Sequence, residues 1–270
     1  MGAPLILIPP SEGKSSGGRG RPWSPGTARI SALDAHRVQV TDALVAAMAG
    51  SEDDRARLLG VKGEALAAAT VANLAVRTSG TRPAIERYTG VLYDALDAAS
   101  IRGTMRRRLG AQVLIASGLF GLVAPSDPIP AYKLKTGAAL PGIGRLGTFW
   151  RPHVDAALSP LVAGRTVWNL WPNEHAATWG GSASTGLELT VRFLDEVPDG
   201  RTTRLVVVSH WNKLLKGALV RHVLETQIDD PDGLAGFEHP LGYRFEPGLT
   251  EVGRRATAVS LVKRLGRVRH

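Results

Sequence analysis

The chain has 270 residues, of which 44% are hydrophobic and 21% are charged, proportions typical of a globular protein. It contains no cysteine, which excludes disulfide bonds, thiolate metal ligands and a cysteine nucleophile. The 33 Lys and Arg residues against 24 Asp and Glu residues give a formal net charge of +9, which favours polyanionic partners such as nucleic acids and nucleotides. The same surplus is also compatible with an ordinary solvated surface rich in arginine.

No apolar run approaches the roughly 18 residues that a membrane-spanning helix needs, and we expect no membrane partner. The first apolar run is too short for a signal-peptide core, and no basic segment precedes it, which predicts a cytoplasmic protein. None of the 7 histidines pairs with another at a metal-ligand spacing, and no dinucleotide motif follows a predicted strand. We therefore predict no metal and no cofactor.

The first predicted element is a buried strand over Leu5–Ile8, which Pro9-Pro10 ends. Ser11, Glu12 and Lys14 follow at once and place a hydroxyl, a carboxylate and an ammonium at a strand end, where ligands collect in α/β proteins. This segment is not a P-loop, because residue 8 is not glycine and the prolines lack N–H donors. A flexible Gly/Ser loop that contains these charges by chance is an equally good interpretation.

Residues 15–27 predict a loop, and helical and strand periodicity predicts the elements that follow. The predicted helices are Asp34–Ala49, a short helix to Leu59 capped by Ser51, Glu64–Leu74, Asp94–Ala99, Ile101–Leu109, Phe149–Leu158 and Trp211–Glu225. The further predicted strands are Gln112–Ser117, Val167–Leu170, Leu189–Leu194, Leu205–Ser209 and Thr257–Val262. Their loose alternation predicts one compact α/β domain over residues 1–270, α+β-like, in which helices wrap a mixed twisted sheet and residues 28–75 form a helical lobe.

Two strings imitate a helix-hairpin-helix DNA motif, in which a turn between glycines presents backbone N–H groups to phosphate. Leu59–Gly63 lies between two predicted helices, but its glycines are one residue too far apart. Leu140–Gly144 has the correct spacing but no helix before it. Each string is more typical of a plain turn.

Other polar residues stand at predicted element ends. Tyr88-Thr89-Gly90 and Ser117-Gly118 place hydroxyls beside glycine, which by itself is typical of turns and caps. The helix Trp211–Glu225 carries Lys213, Lys216 and Arg221 at near-helical spacing. These cations form either a solvated helix face or, with the helix N-terminus, part of the same cleft as Lys14.

Several segments, in order along the chain, carry a family resemblance. They are Pro10 to Lys14, Tyr88-Thr89-Gly90, Ser117 to Gly121, Pro128 with Tyr132-Lys133-Leu134 and Gly137, Phe149-Trp150, Asn169-Leu170 with Glu174, Phe193 to Glu196, Lys213 with Lys216-Gly217 and Arg221, Gly236-Phe237, and Gly242-Tyr243. The ordered set resembles the YaaA family of peroxide stress proteins and covers nearly the whole chain.

The resemblance implies one compact α/β domain with a positively charged cleft. It also implies cytoplasmic DNA binding and a role in limiting iron-driven oxidative damage under peroxide stress. This chain departs from the family pattern in its Ser11-Glu12-Gly13 insertion, in Lys216 where arginine is usual, and in His175 in place of a phenol. The hairpin motif attributed to the family is degraded here.

We therefore carry two functional hypotheses. In the first, a monomer holds DNA without sequence preference in a basic cleft. The residues assigned to binding are Ser11, Lys14, Tyr88, Thr89, Ser117, Tyr132, Lys133, Asn169, Glu174, Lys213, Lys216 and Arg221. In the second, an enzyme modifies a nucleotide, a nucleobase or a similar small anion, with Glu12, Lys14 and Lys213 as the catalytic residues. A scaffold without a ligand would leave the polar strand ends unexplained.

Overall fold

A β-sheet of mixed direction organises the chain in this computed structural model, which describes residues 2–181 and 185–265 and, of residues 173, 174 and 176, the backbone alone. The strands are β1 (Gly2–Ile8), β2 (Arg82–Pro83), β3 (Val113–Ser117), β4 (Gly121–Val123), β5 (Pro128–Ile129), β6 (Ala139–Leu140), β7 (Gly144–Arg145), β8 (Arg165–Asn169), β9 (Leu187–Asp199), β10 (Thr202–Val207), β11 (Tyr243–Phe245), β12 (Glu251–Val252) and β13 (Thr257–Lys263). The helices are α1 (Asp34–Ala47), α2 (Glu52–Leu59), α3 (Gly63–Leu74), α4 (Ala84–Arg87), α5 (Val91–Leu96), α6 (Gly103–Gln112), α7 (Leu146–Val162) and α8 (Asn212–Thr226).

Within the described residues, nine strands form the main sheet in the order β11-β13-β9-β8-β1-β3-β4, with β10 paired to β9 and β12 paired to β13. The strands β3, β1, β8, β9 and β13 run parallel, whereas β4, β10, β11 and β12 join antiparallel. Helices flank this sheet in one compact domain. The predicted α/β class with a mixed sheet is therefore confirmed. No helix in residues 2–181 and 185–265 combines the length and apolarity needed to cross a membrane.

The strand β1 is an interior strand of the parallel region and lies between β3 and β8. Residues Leu5–Ile8 are at most 1% exposed, which explains why the strand is a continuous apolar run without alternation. The carboxyl ends of parallel strands meet at one edge of a sheet. The residues that follow Ile8 therefore emerge beside Ser117 at the end of β3 and Asn169 at the end of β8.

The predicted helices are present, with starts and ends that differ from the prediction by up to four residues. Ser51 caps α2 as predicted, because its hydroxyl accepts a hydrogen bond from the Asp54 N–H at 3.2 Å. The helix predicted over Asp94–Ala99 is α5, which ends earlier because Asp97 adopts a left-handed conformation with φ 45°. The helix predicted over Phe149–Leu158 is the longer α7, which continues through Pro160.

The strand prediction over Leu205–Ser209 is displaced, because this segment belongs to a hairpin. The strands β9 and β10 pair from Thr202 with Asp199 to Val207 with Leu194. Gly200, with φ 62°, makes the tight turn between them. Gln112 lies at the end of α6 and not in a strand, and its side-chain amide donates to Gln227 Oε1 at 2.6 Å.

Two helical glycines provide a test of the packing between α5 and α8. A Cβ at Gly217 in α8 would lie 2.2 Å from the Leu92 carbonyl oxygen, so Gly217→Ala must separate the helices. We expect Gly217→Ala to lower the free energy of unfolding by about 1–3 kcal/mol. At Gly110 in α6 a Cβ meets nothing within 4 Å, so Gly110→Ala should raise that free energy by about 0.5–1 kcal/mol. Chemical denaturation measures both, and equal effects would contradict the packing.

Candidate functional site

A cleft of about 350 Å³ opens at the carboxyl end of β1, and we call it the β1 cleft. Its walls come from the segment after β1, the end of α2 with the turn beyond it, and an extended segment before β6. The residues that line it are Pro10, Ser11, Glu12, Lys14, Arg57, Leu58, Gly60, Tyr132, Lys133, Leu134, Lys135, Thr136, Gly137, Ala138 and His175.

Lys14 lies in this cleft with its ammonium over aromatic rings. Its backbone pairs with Tyr88, and its Nζ lies 4.3 Å from the Tyr132 ring centroid and 5.4 Å from that of Tyr88. The same nitrogen donates to the carbonyl oxygens of Ser11 at 3.2 Å and Glu12 at 3.4 Å. Burial of the ammonium lowers the pKa of Lys14 to about 7, so a large fraction of this side chain is a neutral amine at neutral pH.

Beneath Lys14, three hydroxyl groups form a buried chain. The Tyr132 hydroxyl is 2.8 Å from the Tyr88 hydroxyl and 2.8 Å from Ser117 Oγ. The Phe120 N–H donates to Ser117 Oγ at 3.0 Å, which leaves the serine proton available to Tyr132. Burial raises the pKa of Tyr88 to about 12, and it also raises the pKa of Tyr132. Both phenols therefore stay neutral at physiological pH.

Glu12 binds two other lysines of the cleft. Its Oε2 is 3.1 Å from Lys133 Nζ, and its Oε1 is 3.4 Å from Lys135 Nζ. The hydrogen bond from Lys133 holds the pKa of Glu12 below its usual range, so the carboxylate is ionised at neutral pH. Buried Asn73 of α3 holds the backbone of Lys133 in place. Its side-chain amide accepts a hydrogen bond from the Lys133 N–H at 2.8 Å and donates one to the Lys133 carbonyl at 2.9 Å.

The loop from Ser11 to Lys14 is attached to the start of α5. The Thr89 N–H donates to Ser11 Oγ at 3.0 Å and to the Gly13 carbonyl at 3.2 Å. A Cβ at Gly13 would lie 2.8 Å from Thr89 Oγ1, so this close approach requires glycine. These contacts favour a built site over the alternative of a flexible loop.

The structure brings together most of the residues assigned from the sequence. Those that meet in or beneath the β1 cleft are Ser11, Glu12, Lys14, Tyr88, Thr89, Ser117, Tyr132 and Lys133. Asn169 lies elsewhere, in a second cavity of about 370 Å³, where its amide donates to Glu188 Oε1 at 2.8 Å. The side chain of Glu174 lies outside the described part of the chain. The role of each in binding stays a prediction.

The three cations of α8 do not line the β1 cleft. Lys213 is exposed. Arg221 connects α8 to the end of α5 and the turn after it, with its guanidinium 3.2 Å from the Leu96 carbonyl oxygen and 2.9 Å from Ser100 Oγ. Lys216 is 8% exposed and donates to the Leu170 carbonyl at 2.8 Å, and burial lowers its pKa to about 8. Phosphate contact by these three residues also stays a prediction.

Sequence reasoning missed several residues of the cleft. Lys135 could have been found, because residues two apart in an extended segment share a face and Lys133 was already assigned. Arg57 and Asn73 lie on helices distant in sequence and gave no comparable signal. Thr136 Oγ1 is 3.2 Å from His175 Nε2. Within the described ranges, no three His, Asp or Glu side chains are placed to hold a metal ion.

The fold and the site define an α/β protein whose lysine- and tyrosine-lined cleft lies at the carboxyl end of the buried strand β1. A family model described as peroxide stress protein YaaA matches residues 5–249. The chain belongs to this family, as its ordered motifs predict.

Relatives of the chain carry the family designation UPF0246. A UPF0246 protein of Streptomyces coelicolor is 37% identical over 261 residues, which cover 96% of this chain and 98% of that protein. One from Corynebacterium glutamicum is 36% identical over 228 residues, with 80% and 83% covered. One from Corynebacterium efficiens is 37% identical over 218 residues, with the same coverage.

The burial of Lys216 predicts a pH-dependent stability. Its pKa is about 8 when folded, against an ordinary value of 10.5, so between these values the unfolded chain binds more protons and stability rises with pH. We expect the unfolding free energy of the wild type, measured relative to Lys216→Met, to rise by about 2–3 kcal/mol from pH 7 to pH 10.5. Urea denaturation across this range measures the difference.

The control for Lys216→Met is Lys263→Met, which removes an exposed lysine of β13 and accounts for the general effect of losing one charge. A difference between wild type and Lys216→Met that stays constant with pH would show that Lys216 is not held in a desolvated position.

Proposed function

We propose that this chain is a DNA-binding protein of the peroxide stress response whose β1 cleft holds backbone phosphates without reading base sequence. The main support for the proposal is the set of basic side chains in one cleft. Lys14, Arg57, Lys133 and Lys135 line it, against the single carboxylate of Glu12 among its lining residues. Lysine and arginine side chains supply most of the affinity of proteins for the DNA backbone.

The turn between α2 and α3 supports this proposal from the rim of the cleft. Gly60 ends α2 with φ 65°, and α3 begins at Gly63 with no side-chain cap from Lys62. The first N–H groups of α3 therefore lack a capping side chain and suit a phosphate oxygen. Lys135 Nζ lies 3.2 Å from the position of a Cβ at Gly60, so an ammonium stands beside this turn.

The cations of the cleft are not equivalent in this function. Arg57 forms an ion pair with Asp54 at the exposed end of α2, which reduces its contribution. Lys133 and Lys135 share one carboxylate, so together they keep one surplus positive charge. A phosphate group could accept further hydrogen bonds from the ammonium groups of these two lysines. Because phosphate contacts do not distinguish one base from another, we expect DNA binding with weak sequence preference. We also expect the protein to bind DNA as a monomer in the cytoplasm.

We predict that Lys135→Glu weakens duplex binding. The change reverses one charge at the cleft and places a carboxylate beside Glu12. At low salt we expect an increase in Kd of roughly tenfold, and a slope of log affinity against log salt that is shallower by about one unit. Fluorescence anisotropy with a short labelled duplex, across a salt series, measures both quantities.

The matched control is Arg244→Glu, which makes the same charge change on the edge strand β11, four strands from β1. Its effect on Kd should be at most about twofold, because exposed charges far from the site are screened by salt. Equal weakening by the two variants would show that DNA responds to net charge and not to the β1 cleft.

A second candidate function is favoured by the size of the cleft. A volume of about 350 Å³ lies within the range of small-molecule sites and would hold a mononucleotide, as an enzyme that modifies a small anion requires. Unlabelled mononucleotide added to the duplex complex separates the two functions. Displacement of the duplex at mononucleotide concentrations near those of the cell would favour the enzyme, and weak competition supports DNA binding.

A further inference from the structure

Lys14 differs from the other lysines of the β1 cleft in its partners. Both oxygens of Glu12 are engaged by Lys133 and Lys135, at 3.1 and 3.4 Å. Lys14 contacts backbone carbonyl oxygens and the faces of two tyrosine rings. A lysine that only binds phosphate gains from a stable positive charge. Lys14 is instead buried in the cleft without an ion pair to a carboxylate within the described residues, and this burial lowers its pKa to about 7 and supports the neutral amine. An amine in such a place is a nucleophile for carbonyl groups.

We propose that Lys14 forms an imine with an aldehyde in damaged DNA, the substrate class being the ring-opened sugar of an abasic site. The inference rests on the proposed function, because bound DNA brings the aldehyde to the cleft. Oxidation of DNA by peroxide-derived radicals releases bases and leaves such sugars, so this substrate class fits a protein of the peroxide stress family.

The chemical step balances without another reactant. The lone pair of neutral Nζ attacks C1′ of the open sugar, a C–N bond forms, and the carbonyl oxygen takes up a proton that the nitrogen releases. The resulting carbinolamine loses its hydroxyl group together with the second N–H proton as one water molecule. The product is a C=N bond between Lys14 and the sugar.

The surroundings of Lys14 fit this step. The ring face of Tyr132, 4.3 Å from Nζ, attracts a protonated imine as it attracts an ammonium. Because the ring is held through its hydroxyl by Tyr88 and Ser117, it offers a fixed platform. Lys133 lies in the same cleft and would hold a phosphate that flanks the damaged sugar.

Reduction with borohydride tests the inference, because it converts an imine to a stable secondary amine. The full-length protein is incubated with a duplex that contains one abasic site, or with the intact duplex, and then treated with sodium borohydride. We expect a covalent protein–DNA adduct with the abasic duplex only, and peptide mapping by mass spectrometry should place it at Lys14. Anisotropy measures the binding of both duplexes in parallel.

Two variants complete the test. Lys14→Arg keeps a cation but cannot form the imine, so the adduct should fall by at least about tenfold, since guanidinium stays protonated. Lys263→Arg on β13 is the control and should give the wild-type yield. If Lys14→Arg does not fold, the mapped position in the wild-type protein decides.

The outcomes separate the two proposals. Duplex binding without an adduct, or an adduct mapped to another lysine, would overturn the role of Lys14 and leave DNA binding in place. Failure to bind either duplex would overturn both proposals.

Discussion

The strand β1 has no polar face, and the rest of the site depends on this constraint. Parallel neighbours pair with both its edges and the residues Leu5–Ile8 are buried, so the strand carries apolar side chains alone. The first polar side chains that it can present lie beyond Pro9-Pro10, at the carboxyl edge of the sheet. Lys14 is fixed there by pairing with Tyr88, and the cleft forms around it.

One carboxylate divides the lysines of the cleft into two kinds. Glu12 forms ion pairs with Lys133 and Lys135, whose ammonium groups lie in a partly exposed position that suits phosphate binding. Lys14 donates to backbone carbonyl oxygens and lies over aromatic rings, and its burial lowers its pKa and so favours the neutral amine. A single cleft thus combines the ammonium groups proposed to bind phosphate with the amine proposed to react with a carbonyl.

Much of the fold follows from local patterns that the sequence displays. The apolar run of β1, the Ser51 cap and the long helix α8 are local features, and the structure has them close to their predicted places. The contacts that build the site are long-range, such as Asn73 with Lys133, which are 60 residues apart. Helical spacing placed Lys213, Lys216 and Arg221 toward one side of α8, whereas the structure buries Lys216, which donates to the Leu170 carbonyl. These contacts and this burial depend on tertiary packing, which cannot be read from the pattern of residues in a single segment.

Amide hydrogen exchange of the whole protein, with and without a short duplex, tests the central claim most directly, because it locates the bound DNA without altering the chain. The account predicts slower exchange in three segments, residues 11–14, 57–65 and 132–138, which come from separate parts of the sequence and meet at the β1 cleft. Exchange in β11, at the far edge of the sheet, should not change. Protection confined to β11 or to α8, with the three cleft segments unaffected, would contradict the claim that the β1 cleft holds DNA.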